Sequence, residues 1–166
     1  MNRSEAELQK TFRLRTFKPS DLERVVYINR VCLPENYSSL FFLDLYRRFP
    51  GTFIVAEENG EVVGYIMCRI ETSLANLGFS GIIKKGHVVS IAVLPEHQRR
   101  GIGSALMLKA MENMPRYNAK KCFLEVRVTN EPAIKMYKKL GFQIKRRIRG
   151  YYMDGEDAYL MEKDLP

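Results

Sequence analysis

The spacing of apolar and polar positions changes several times along the chain. Phe12 and Leu14 alternate with polar neighbours over Thr11–Arg15, which predicts a short strand. Pro19-Ser20 breaks it. Ser20 followed by Glu23 predicts a capping box at a helix start. Leu22, Val25, Val26 and Asn29 fall near one face, and the helix should end near Leu33, because Pro34 restricts its predecessor and cannot donate a backbone bond. Pro34-Glu35-Asn36-Tyr37 reads as a loop or short helix, and Leu40–Tyr46 as a second helix ending before Pro50.

Phe53–Glu57 and Val62–Ile70 are strand-like and are joined by Asn59-Gly60, which suits the positive φ angles of a type I′ turn. Residues 71–86, with Gly78, Gly81 and Gly86, read as a loop between long strands. His87–Leu94 is a continuous β-branched run ending at Pro95. Gly101–Met114 is helical by spacing, with Ile102, Ala105, Leu106, Lys109 and Ala110 on one face. Cys122–Val128 reads as a strand, and Glu131–Leu140 as a helix stopped by Gly141. Phe142–Arg149 and Asp157–Lys163 read as two closing antiparallel strands. The predicted order is β-α-α-β-β-β-α-β-α-β-β, helices interrupting a mixed sheet in an α/β layer structure.

With 166 residues the chain suffices for one core, and 46% hydrophobic against 28% charged residues argues against disorder or a fibrous repeat. No linker, internal repeat or low-complexity segment divides it. Cys32, Cys68 and Cys122 cannot all pair and form no CxxC, so they read as buried thiols in a reducing compartment. No signal peptide or membrane span is visible, and a cytoplasmic location is expected. The 27 Lys and Arg outnumber 19 Asp and Glu, a net charge of +8. The densest basic run is Lys145-Arg146-Arg147-Ile148-Arg149. It fits solvated surface, an anionic ligand or an acidic peptide. A specific nucleic-acid partner is not expected, because no binding motif accompanies the charge.

Gln98-Arg99-Arg100-Gly101-Ile102-Gly103 follows a strand and opens a helix. A first helical turn has backbone N–H groups without internal partners, glycines let an anion approach them, and the helix dipole favours negative charge. A pyrophosphate suits such a nest. There is no GxGxxG after the first strand and no GxxxxGK[ST], which excludes the Rossmann and P-loop readings. His87 carries the one side-chain type whose ordinary pKa lies near neutrality, and Glu125 is a charge within the apolar Phe123-Leu124-Glu125-Val126. His97, in a Pro-Glu-His-Gln turn, reads as surface.

The strand Val88-Val89-Ser90-Ile91-Ala92-Val93, the turn after it, and Asn130–Phe142 some thirty residues later together resemble the GCN5-related N-acetyltransferase family. Leu33–Tyr37, Gly86–Val93, Leu124–Asn130 and Tyr151–Tyr159 are similar to the archaeal N-terminal acetyltransferases of that family, from about Thr11 to Glu162. The resemblance implies one three-layer α/β domain over residues 11–163, after a short extension of residues 1–10. Its mixed, largely antiparallel sheet would be splayed between the fourth and fifth strands.

The resemblance further implies acetyl-CoA as cofactor and direct attack by a protein α-amine on its thioester. Ile91, Ala92 and Val93 would lend backbone groups to the pantetheine arm. Arg99, Arg100, Gly101, Ile102, Gly103 and Ser104 would hold the pyrophosphate. Asn130 and Tyr137 would sit by the arm and thiol, with Tyr137 as the acid for the leaving thiolate. Glu35, His87 and Glu125 are the candidate bases, and which of them, or an ordered water, dominates is left open. Leu33, Glu35, Tyr37, Tyr151 and Tyr152 would hold the acceptor peptide. Residues 38–50, with Ser-Ser-Leu-Phe-Phe-Leu, would line the peptide pocket or pack as core. The basic run before Tyr151 would favour acidic residues further along the substrate.

No metal is required. His87 and Glu125 could at most hold an adventitious zinc ion. The expected partners are protein N-termini, ribosomal or nascent chains among them, with the protein a monomer or weak dimer and no membrane partner. Acetylation of lysine side chains or of a small amine, and a CoA- or peptide-binding module without activity, are the alternatives.

Overall fold

The computed structural model describes residues 12–74 and 81–166. Thr11, Gly78 and the expected extension over residues 1–10 lie outside the described residues. The elements run β1 (Arg13–Thr16), α1 (Leu22–Cys32), α2 (Ser39–Arg48), β2 (Phe53–Glu58), β3 (Glu61–Leu74), β4 (Ile82–Val93), α3 (Ile102–Asn113), β5 (Ala119–Arg127), α4 (Glu131–Lys139), β6 (Gln143–Ile148) and β7 (Ala158–Asp164). This is the order expected from the sequence. The strands form a seven-stranded sheet in the order β1-β2-β3-β4-β5-β7-β6. β4 and β5 pair in parallel, whereas β1/β2, β2/β3, β5/β7 and β6/β7 are antiparallel. The parallel register runs from Lys84↔Ala119 to His87↔Phe123. Both strands continue past it, β4 to Val93 and β5 to Arg127, so the parallel pairing ends before either strand does.

Two compact units make up the chain, Met1–Met67 with Ser90–Ala110 and Cys68–Val89 with Met111–Pro166. In the first, Phe17, Phe42 and Phe53 are fully buried. Phe17 stacks on Phe53 at 4.1 Å between ring centroids, and Phe42 meets the edge of Tyr65 at 6.2 Å. Each such ring contributes about 1.5–3 kcal/mol by leaving water. The stretch 38–50 divides by helical period: Phe42 and Leu45 are core, whereas Leu40 is exposed. Ser38 caps α2, its Oγ accepting from the Phe41 N–H at 3.2 Å. The turn after β2 has positive φ at Asn59 (51°) and Gly60 (80°), as a two-residue hairpin requires.

The entry to α1 differs from expectation. Pro19 opens a 3₁₀ turn over Pro19–Asp21, so the reciprocal acid is Asp21, not Glu23. The Asp21 carboxylate accepts the Lys18 N–H at 2.8 Å and both terminal nitrogens of Arg15, at 2.8 and 2.9 Å.

In the second unit, β5 alternates cleanly. Cys122, Leu124 and Val126 are buried, and Lys121, Phe123, Glu125 and Arg127 occupy the other, half-buried face. Glu125 therefore lies opposite the apolar side chains that flank it in sequence. The expected loop over 71–86 is a correction: β3 extends to Leu74 and β4 begins at Ile82. Two remote partners account for it. Lys85 Nζ donates to Glu162 Oε2 at 2.9 Å, and Gly86 lies so close to Met114 that a side chain there would collide with its sulfur.

Candidate active site

The turn before α3 has the geometry of an anion nest. Arg99 and Gly101 both have positive φ, 62° and 82°, and the space where Gly101 would carry a side chain is open. The Ala105 N–H bonds the Gly101 carbonyl at 3.0 Å, which starts the helical ladder there. The amides of Ile102, Gly103 and Ser104 precede that first bond and lack intrahelical acceptors. The turn thus fits a pyrophosphate through its backbone.

The side chains of this region have other duties. Arg100 forks onto the buried Glu58 carboxylate, donating to Oε2 at 3.0 Å and also to Oε1. His97 Nδ1 lies 2.5 Å from the same Glu58 Oε2. His97 is accordingly half-buried, not the surface residue its turn suggested. Arg100 and His97 together hold the Glu58 carboxyl below the usual carboxylate range, Arg100 more strongly and against partial desolvation. Gln98 Nε2 donates to the Val93 carbonyl at 2.8 Å, and the Cys32 thiol approaches the same oxygen at 3.4 Å. That carbonyl is already engaged, whereas no such side-chain contact reaches the carbonyls of Ile91 and Ala92 among the described residues.

The loop carrying Leu33, Glu35 and Tyr37 is set by one buried amide. Asn29, on α1, donates from Nδ2 to the Glu35 carbonyl at 3.0 Å and to the Tyr65 hydroxyl at 3.1 Å. Its Oδ1 accepts from the Tyr37 N–H at 3.4 Å. Tyr65 in turn shares a hydrogen bond with Ser90 at 2.7 Å. Burial raises the Tyr65 phenol to about 12 despite its bonds to Ser90 and Asn29, so it stays protonated. Tyr37 stacks on Phe41 at 5.0 Å. Sequence reading placed Asn29 on the helix's inner face and gave it no further role.

His87 is held on three sides. Nε2 lies 2.7 Å from Glu125 Oε2 and Nδ1 lies 3.0 Å from Glu71 Oε1. The ring stacks on Phe123 at 4.4 Å, nearly parallel. Arg69 Nε donates to Glu71 Oε1 at 2.7 Å. An ionised carboxylate only accepts, so both contacts form at once only when both ring nitrogens carry hydrogen. A neutral ring donates to one carboxylate. Glu71 was missed in sequence because it fell in the stretch read as loop. The polar alternation Arg69-Ile70-Glu71 was its one available signal.

Tyr137, on α4, is buried beside Phe142 at 5.9 Å, and no hydrogen-bond partner for its hydroxyl is found among the described residues. Burial pushes this phenol well above its ordinary value. Asn130 caps the same helix, its Oδ1 accepting from the Ala133 N–H at 3.3 Å. In the β6–β7 loop, Tyr151 and Tyr152 meet edge to face at 4.9 Å, and the Arg127 guanidinium lies 4.0 Å from the Tyr152 ring centre. Arg127 also grips Asp154 and Glu156, at 2.9 and 2.7 Å. Tyr151 remains exposed. Among the described residues no group of three or more His, Cys, Asp or Glu side chains is placed to hold a metal ion.

The chain belongs to the acetyltransferase (GNAT) family, whose model matches residues 22–142. It is 50% identical to an N-alpha-acetyltransferase of Sulfurisphaera tokodaii, over 99% of this chain and 100% of that protein. Among solved structures it is similar to Ard1 from Thermoplasma volcanium, with a TM-score of 0.78 and 33% identity over 94% of this chain and 99% of that one. It is also similar to Chaetomium thermophilum Naa20 in complex with a bisubstrate analogue, with a TM-score of 0.80 and 33% identity over 92% of this chain and 86% of that one.

Proposed function

We propose that this chain is a protein N-terminal α-amine acetyltransferase that uses acetyl-CoA. The observation that carries the reading is the 2.7 Å contact of His87 with Glu125. An α-amine has a reference pKa of about 7.7–8.0, so a neutral-range acceptor suffices to free its lone pair, whereas a lysine amine near 10.4 asks for more. His87 takes the amine proton, directly or through a water, and Glu125 stabilises the charged ring. Glu71 holds the ring's other edge. Glu35 serves the acceptor amine from the loop that Asn29 fixes.

Acetyl-CoA, when bound, supplies the acetyl thioester that the amine attacks directly. The amides of residues 99–104 bind its pyrophosphate, with Arg99 adding charge. The backbone of Ile91 and Ala92, with Val93 next in line, would receive the pantetheine arm, and Asn130 would contribute a polar contact to it. Tyr137 would act at the leaving thiolate. A phenol raised above its ordinary value keeps its proton, so Tyr137 stabilises the thiolate as a hydrogen-bond donor. Leu33, Tyr37, Tyr151 and Tyr152 hold the first residues of the acceptor. The bisubstrate analogue bound to the Naa20 structure fits this reading.

Nascent or ribosomal chains in the cytoplasm are the proposed acceptors, with the protein acting as a monomer or weak dimer. Among the described residues no helix is long and apolar enough to cross a membrane. The test is purified protein with acetyl-CoA and short peptides beginning Ser, Ala, Thr, Met-Leu or Glu, reading thiol release and the acetylated position together. Acetylation of the first residue is expected. Acetylation confined to internal lysines, or to small amines, would overturn the proposal.

A further inference from the structure

A cavity of about 490 Å³ opens in the second unit, and its wall includes Glu71 and Phe123, the residues that bond and stack on His87. It therefore begins at the histidine's own surroundings. Its lining carries four cations, Lys85, Lys121, Lys145 and Arg146, against two carboxylates, Glu71 and Glu162, a difference of +2.

These charges are not equivalent. Glu162 is buried, and Lys85 and Lys121 bond it from both sides, at 2.9 and 3.2 Å. Burial pushes the Glu162 carboxyl up, but the two lysines outweigh it and hold it low. Glu71 is matched by Arg69. Lys145 and Arg146 are different. The Lys145 side chain has only a 3.5 Å contact with Gln143, and the Arg146 side chain has no hydrogen bond or ion pair among the described residues.

Consecutive strand residues normally point to opposite faces. Here the β6–β7 register steps from Ile144↔Met161 to Arg146↔Leu160, which leaves Lys145 as the extra residue of a bulge. A bulge re-aims side chains, and both Lys145 and Arg146 line the cavity. The next basic residue leaves it: Arg147 is bonded to Asp157 at 2.7 Å. Of the basic run in the sequence, the fold thus brings two members, Lys145 and Arg146, to the wall of this cavity.

We infer that the cavity is a specificity subsite for an acidic side chain of the acceptor polypeptide, downstream of its acetylated residue, with Lys145 and Arg146 as the selecting charges. This deepens the reading of the chain as an N-terminal acetyltransferase and rests on it. A polypeptide, unlike a small amine, extends beyond its reacting nitrogen. Space adjoining His87, with two uncommitted cations, meets that extension with charge complementarity.

The experiment uses peptides beginning with Ser in a neutral sequence, with one Glu or one Lys walked residue by residue along the chain, at saturating acetyl-CoA. At one position, or two adjacent ones, Glu lowers KM about fivefold relative to the neutral peptide while kcat changes little, the effect of one partly screened charge pair. The double variant Lys145→Ala with Arg146→Ala loses that preference and acetylates the neutral peptide as the wild type does. The same labelled peptides are bound to CoA-loaded protein and followed by fluorescence anisotropy. If the neutral peptide is not acetylated at its amine, the N-terminal reading fails, and the binding arm still decides the subsite. An acid preference that survives in the double variant, no preference at any position, or displacement of the acidic peptide by an RNA of equal charge at lower concentration would overturn the subsite.

Discussion

Asn29 Nδ2 donates to the backbone carbonyl of Glu35 at 3.0 Å, so a side chain buried in α1 sets the position of a residue six places on, in the acceptor loop. The loop after Leu33 has no helical ladder of its own. Its backbone is held by this amide, which also accepts from the Tyr37 N–H and donates to the Tyr65 hydroxyl.

Replacing Asn29 with Ala should raise KM for peptide by about tenfold and leave KM for acetyl-CoA within about twofold, since lost buried hydrogen bonds cost roughly 1–3 kcal/mol each site. Steady-state kinetics with each substrate varied in turn separates the two effects. A parallel rise in both constants would mean that the variant merely loosens the fold.

The histidine should behave as a unit with its carboxylates. His87→Ala and Glu125→Gln are each expected to lower kcat by roughly 10²–10⁴, the usual contribution of a positioned acid or base. Their combination should cost little more than either alone. Glu71→Gln should cost less, because the Glu71 contact is the longer one, 3.0 against 2.7 Å, and its Oε1 is shared with Arg69. Additive losses in the double variant would show two independent routes, with Glu35 or a water as the second.

Tyr137→Phe should lower kcat by about 10–10² and leave KM for acetyl-CoA nearly unchanged, the signature of an interaction made at the leaving thiolate. No hydrogen-bond partner of the hydroxyl is found among the described residues, so the substitution should not reduce thermal stability. A melting temperature several degrees lower would assign the hydroxyl a structural bond instead.

The elements were legible from sequence where their signals are local. Asn59-Gly60, Pro34 and Gly141 act within a few residues, and each marks a boundary close to where the strand or helix ends. The misreadings share a cause. Lys84-Lys85-Gly86 looks like a loop until Glu162 and Met114, far along the chain, supply its partners. His97 looks like surface until Glu58 reaches it from the β2 end. Glu71 became visible only once β3 was known to extend that far. For the site, residue type and order pointed to the nest and the histidine. The commitments of Arg100, Gln98 and Asn130 to intramolecular bonds were not visible, since each polar side chain could equally have faced a ligand.

Glu58 should matter for cofactor use without touching the cofactor. It holds Arg100 and His97, which flank Arg99 in the nest. Glu58→Gln keeps the shape but weakens both contacts, and KM for acetyl-CoA should rise about 3–10-fold with kcat little changed. Isothermal titration with CoA checks the binding directly. Unchanged affinity would show that the turn keeps its geometry without this clamp.

Acid should find the protein's weak points in order. Arg15 and the Lys18 N–H hold the Asp21 carboxyl below its ordinary value even though burial pushes the other way. Its folded pKa is therefore depressed, so its stabilisation is complete above the unfolded carboxylate range, about 3.9 for Asp, and disappears as pH falls through the folded value. Asp21→Asn should cost about 1–3 kcal/mol at neutral pH, a melting temperature lower by roughly 2–10 °C for a chain of this size. The difference between variant and wild type should shrink below about pH 4 and vanish once the wild-type carboxyl is protonated. Melting curves at stepped pH check it, and a gap that stays constant into acid would show that Asp21 stabilises through shape and not through charge.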